Sequence, residues 1–129
     1  MSDTLPSPAR LFVMAGAACG FLGVAAGAFG AHYLREKIEP RLLEAFQTGV
    51  QYQLVHAVAL LAVAWLTTVA PGRASHAAGW LFLVGIVLFS GSLQALALSG
   101  VRVLGAITPL GGLCFLAGWI ALLLAAMRA

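Results

Sequence analysis

Four long runs without Asp, Glu, Lys or Arg divide the chain: Leu11 to Leu34, Ala45 to Gly72, Ala74 to Val101 and Val103 to Met127. Each exceeds the ~20 residues that cross about 30 Å of hydrocarbon as a helix rising about 1.5 Å per residue. Strands of a transmembrane barrel are only about ten residues long and alternate in polarity, so continuous apolar runs favour helices. The pattern predicts an all-α fold, a four-helix transmembrane bundle in one membrane domain. Its spans fall at about residues 10–33, 47–70, 76–99 and 103–127, with an interfacial segment at about 35–46. An even number of crossings puts the N and C termini on the same side of the membrane.

Punctuation between the runs supports these elements. Residues Met1 to Pro8 read as a short disordered or interfacial tail, and Arg10 marks the first boundary. The apolar run behind Arg10 exceeds the 7–15 residues of a signal-peptide core, so it is expected as a retained span. Glu39 and Pro40 suit the start of the second helix, because a proline in the first turn lacks only an N–H that has no partner there. Pro71-Gly72-Arg73 reads as a turn, and Gly100 to Arg102 as a tight connection between the third and fourth spans. Thr108-Pro109-Leu110-Gly111-Gly112 is expected to kink or loosen the fourth helix.

In the first span Gly16, Gly20, Gly23, Gly27 and Gly30 are spaced four, three, four, three, which lines them up along one seam. Small residues allow close helix approach, the main source of association in lipid, so this is a packing seam or an oligomer interface.

Composition agrees with the membrane reading. Over 129 residues, 62% are hydrophobic and only 9% charged, against about 25% charged in soluble domains. The net charge of +3 comes from basic residues scattered between spans, where lipid headgroups anchor them, and no nucleic-acid binding is expected. Arg10, Arg73 and Arg128 lie on the side of the termini, side A; Arg35, Lys37, Arg41 and Arg102 lie on side B, so the charges leave orientation open. Cys19 and Cys114 fall within spans and read as small apolar packing residues.

Polar side chains gather toward side B. Gln51 and His56 lie roughly 5 and 12 Å deep, Gln94 roughly 9 Å and Thr108 about 8 Å, at 1.5 Å per residue. His32 ends the first span on the same side. Thr48, Tyr52 and His56 follow i, i+4, i+8, with Gln47 and Gln51 on the adjoining row, and this face is expected to point into the bundle. Two readings stand for the cluster of His32, Gln47, Thr48, Gln51, Tyr52, His56, Gln94 and Thr108: an interhelical hydrogen-bond network, or a small wet cavity that holds a polar molecule. His32 and His56 lack a third ligand at their depth, so no metal, haem or other cofactor is expected. No acid lies within a span and Ser90 and Ser92 have no assigned base partner, so no set of nucleophile, base and orienting group is present and no enzyme activity is expected. A structural or accessory component of a membrane assembly follows, with a small oligomeric transport or ligand-binding module as the alternative. The partners expected are membrane lipids and either further copies of the chain or a larger membrane complex.

The motifs GAFGAH at Gly27 to His32, FQTGVQYQLVHAVALL at Phe46 to Leu61, LFSGSL at Leu88 to Leu93 and ITPLGGLCFLAGW at Ile107 to Trp119 occur in the order of a known family. They resemble the small membrane proteins grouped as domain of unknown function 423, the YgdD-like proteins. The resemblance covers nearly the whole chain. It implies four helices and a multi-pass setting in a bacterial inner (plasma) membrane, and it implies no activity. Gly30, His32, Phe46, Gln47, Thr48, Gly49, Gln51, Tyr52, His56, Gly91, Thr108, Pro109, Gly111 and Gly112 carry the pattern. Gln94 stands where related proteins often have Tyr.

Overall fold

A computed structural model describes residues 4–129. Four helices are long and apolar enough to cross a membrane: α1 (Ser7–His32), α2 (Pro40–Val69), α3 (Arg73–Ser99) and the segment Arg102–Met127. The last begins with a 3-10 turn, Arg102–Ala106, and continues as α4 (Thr108–Met127). No strand occurs among the described residues. The helices alternate in direction, so the described ends of the chain meet on side A.

Sequence chemistry sets the helix ends. Pro8, Pro40 and Pro109 all fall in first turns. The tail expected through Pro8 is therefore shorter: its residues 1–3 lie outside the described residues, while Ser7 and Pro8 already belong to α1. The expected break at Pro109 is likewise displaced, since Pro109 opens α4 instead of kinking it. Gly72 (φ 152°) precedes α3 and Gly100 (φ 72°) ends it in the left-handed conformation that glycine adopts without cost.

The glycine seam of α1 meets α2 within the same chain. A Cβ placed at Gly16 would lie 2.9 Å from the Ala57 carbonyl oxygen, one at Gly23 would lie 2.6 Å from Leu54, and one at Gly30 would lie 2.9 Å from Phe46. The seam is thus occupied by α2, which corrects the idea that it could supply an oligomer interface. Backbones approach closely at two further places. Gly49 of α2 faces the Ser90 carbonyl of α3, and Gly111 of α4 faces the backbone at Leu88 and Phe89.

Both approaches converge on a π-helical turn in α3, Ile86–Gly91. Before it, α3 packs mainly on α4; after it, mainly on α2. Two apolar clusters hold the bundle. One, around Phe12, Leu60, Val63, Phe82 and Phe115, draws on all four helices. The other, Leu34, Phe46, Val50 and Ala97, closes the side B end and draws the segment after α1 back onto the bundle.

Candidate functional site: an interhelical polar network

α2 is the most buried span, and its polar side chains reach each of the other three helices directly or through one intermediary. Six hydrogen bonds in three groups form the network. Gln94 of α3 donates its amide to Gln53 Oε1 at 2.8 Å, and Gln53 donates its own amide to the Cys19 carbonyl at 2.9 Å, in the middle of α1. Ser92 of α3 and Thr108 of α4 share a hydroxyl hydrogen bond at 2.5 Å, and Ser92 also donates to the Phe89 carbonyl at 3.0 Å. Trp119 of α4 donates its indole N–H to His56 Nε2 at 3.1 Å, while His56 Nδ1 lies 2.7 Å from the Tyr52 carbonyl.

The last arrangement fixes a tautomer. An indole N–H can only donate, so His56 Nε2 must accept, and Nδ1 must carry the hydrogen given to Tyr52. Both ring nitrogens of the neutral imidazole are then satisfied. The ring itself is enclosed: Phe115 stacks on it at 3.6 Å between centroids, and Phe82 and Trp119 meet it edge-on at 5.4 and 5.7 Å. Stacking and the two hydrogen bonds leave His56 only 4% exposed. Such pairing is required where water is absent, because an unsatisfied polar group in hydrocarbon costs several kcal/mol, roughly 2–7 by transfer measures.

The predicted residues divide between this network and the surface. His56, Gln94 and Thr108 enter it. Tyr52 contributes its carbonyl, and its ring lies 4.6 Å from that of Phe89, yet 43% of the residue remains exposed. Thr48 is half-buried and stands outside the hydrogen-bonded contacts. Gln47 and Gln51 are exposed, and so is His32 at the end of α1. Gln47 and Gln51 correct the expectation of one inward polar face on α2, and all three stand apart from the expected cluster. They lie shallow on side B, where a long amide or an imidazole reaches headgroups and water without a partner helix.

Sequence reasoning passed over Gln53, Ser92 and Trp119. For Gln53 a signal existed: Phe46, Val50, Gln53, Ala57 and Leu60 repeat the four, three, four, three spacing of the glycine seam they face. Trp119 carried no positional signal in a span that is apolar all round. One further polar atom is notable: Ser90 Oγ, in the π-helical turn, is buried without a hydrogen-bond partner. Among the described residues, no group of three or more His, Cys, Asp or Glu has the placement to hold a metal ion.

Comparison with known proteins gives a consistent family and no activity. The family model described as "Protein of unknown function (DUF423)" matches residues 26–112. The UPF0382 membrane protein YwdK of Bacillus subtilis is 47% identical over 120 residues, covering 92% of this chain and 98% of that protein. UPF0382 membrane proteins of Staphylococcus haemolyticus and Staphylococcus epidermidis are each 40% identical over 119 residues, covering 92% of this chain and 97% of theirs. No solved structure matches. With its four apolar helices, its motifs in order and relatives matched along nearly their whole length, this integral membrane protein belongs to the DUF423 family.

Proposed function

We propose that the protein is a non-catalytic structural or accessory component of a larger assembly in a bacterial inner membrane. The observation that carries this reading is the closure of the polar network. Gln53, Gln94, Ser92, Thr108, His56 and Trp119 hydrogen-bond one another across helices or to neighbouring backbone. That arrangement fixes helix register, the best-supported use of intramembrane polar side chains. Meanwhile α1 and α4 turn large apolar side chains outward, among them Phe21 and Val24 on the first and Leu116 and Ile120 on the second. Such faces suit lipid or neighbouring helices.

Native mass spectrometry of the protein extracted gently from its own membranes tests the proposal. Co-extracted protein subunits in fixed ratio, retained in the Gln53→Ala variant, are the expected result. A protomer or homo-oligomer carrying a discrete small molecule that disappears in Gln53→Ala or His56→Ala would establish the ligand-binding module instead.

A further inference from the structure

At the side B end, the loop after α1, the first turns of α2 and the end of α3 enclose a cleft of about 800 Å³. Lys37, Arg41 and Arg102, from three different segments, line it, and Leu42, Leu96 and Leu98 form apolar wall between them. Leu98 also lines a second depression, a groove of about 630 Å³ between α1 and α3 whose floor includes Gln53 and Gln94. The two hollows therefore adjoin. Along α1 the groove runs from Cys19 to Phe29. At 1.5 Å per residue that is about 15 Å, half the hydrocarbon thickness of about 30 Å and so the depth of one leaflet.

We propose that the cleft and groove together bind one anionic phospholipid of the side B leaflet, its phosphate among Lys37, Arg41 and Arg102 and an acyl chain in the groove between α1 and α3. Charge complementarity selects the headgroup, since basic pockets between transmembrane helices suit anionic lipid headgroups. The same cleft argues against a free phosphate. Glu39 lines it and sits 3.8 Å from Arg41, and the carbonyl end of α3 points toward it, so the cations act against an opposing field. Retention of the ligand then requires the apolar groove as well as the charges. The walls are preformed: α1 and α3 are held apart over the groove by Gln53, whose amide bridges to Cys19 on one side while Gln94 holds it from the other.

This inference does not rest on the accessory role, because its residues are distinct from the closed polar network except for Cys19, Gln53 and Gln94, which line the groove. The test is native mass spectrometry of the full chain in detergent with added phosphatidylglycerol or phosphatidylcholine, for the native sequence and three variants. Lys37→Gln and Arg102→Gln change exposed side chains, and Ala25→Phe fills the groove from an exposed position on α1. Unchanged thermal melting of the variants in detergent confirms that each folds. Phosphatidylglycerol should be retained in preference to phosphatidylcholine. Each neutralised cation should weaken retention about fivefold, and Ala25→Phe should weaken it as well. Equal retention of the two lipids overturns the proposal. So does indifference to Arg102→Gln, retention of glycerophosphoglycerol as strong as that of the whole lipid, or a dimer whose second copy fills the groove. Retention sensitive to the charges and blind to Ala25→Phe overturns the acyl site.

Discussion

Two glycines one turn apart on the α1 seam should respond differently to the same substitution. At Gly16, an alanine Cβ would lie 2.9 Å from the Ala57 carbonyl oxygen, 3.0 Å from Leu61 Cδ2 and 3.3 Å from Leu60 Cβ. The leucine ends can swing aside, but the carbonyl belongs to the α2 backbone, so the helices must separate by about half an ångström. At Gly20 the nearest atom is Ala57 Cβ at 4.0 Å, an ordinary contact. Both substitutions gain the helical preference of alanine over glycine, up to about 1 kcal/mol. That gain cancels in the comparison, which leaves the overpacking cost of about 1–3 kcal/mol at Gly16 alone. Gly20→Ala should therefore be neutral or stabilising by up to about 1 kcal/mol, with Gly16→Ala less stable than it by about 1–3 kcal/mol. Unfolding of the purified protein by dodecyl sulfate titrated into mild detergent, followed by far-ultraviolet circular dichroism, measures both. Equal stabilities within about 0.5 kcal/mol, or a larger loss at Gly20, would refute the packing argument.

The remaining predictions concern the polar network. Gln53→Leu removes both amide contacts and should cost about 1–4 kcal/mol in the same titration, at ~0.6 to 2 kcal/mol for each membrane hydrogen bond. Gln51→Ala, on the exposed row, should change stability by less than about 0.5 kcal/mol; a cost matching that of Gln53→Leu would contradict the placement of these two neighbours. Nitrogen chemical shifts of the His56 ring should report a neutral imidazole with its hydrogen on Nδ1. Trp119→Phe should keep that tautomer, because the Tyr52 carbonyl can only accept and still requires the hydrogen on Nδ1, but should shift the Nε2 resonance as its hydrogen bond is lost; an unchanged Nε2 signal in that variant would show that Trp119 does not bond it.

Much of the fold was legible because lipid imposes simple rules. Runs longer than a bilayer's thickness and free of charge leave little choice but helices, and Pro40 and Gly100 mark ends whose chemistry is local. The seam of Gly16 to Gly30 was legible as a seam, since its spacing belongs to one helix, but its partner was not named by that spacing alone. The partner became visible only where Phe46, Val50, Gln53 and Ala57 repeat the rhythm across from it. The polar site was half legible. His56, Gln94 and Thr108 stand out in the sequence as polar side chains well inside apolar spans, and all three enter the network. Gln47 stands out only by adjacency on a helical wheel, and Gln51 by that and a shallow depth, neither of which can tell a face turned to headgroups from one turned to a neighbour. Pro109 misled because the same residue that breaks a helix interior also opens one. The π-helical turn left no mark at all, because Ile86-Val87-Leu88-Phe89-Ser90-Gly91 suits regular helix equally well.

That turn has an azimuthal effect. A regular helix advances about 100° per residue, and a π turn takes up one residue more than an α turn, so everything beyond it is rephased by roughly that angle. Up to Gly85, α3 presents Ala78, Phe82 and Gly85 to its neighbours at regular α spacing, with Phe115 lying against Gly85. Beyond Gly91 the rephased rod presents Gln94 to Gln53 and Ala97 to the side B cluster. One continuous helix thus serves two partners lying in different directions, as a shaft with two keyways cut at different angles would, and the angle between them is set by a single residue.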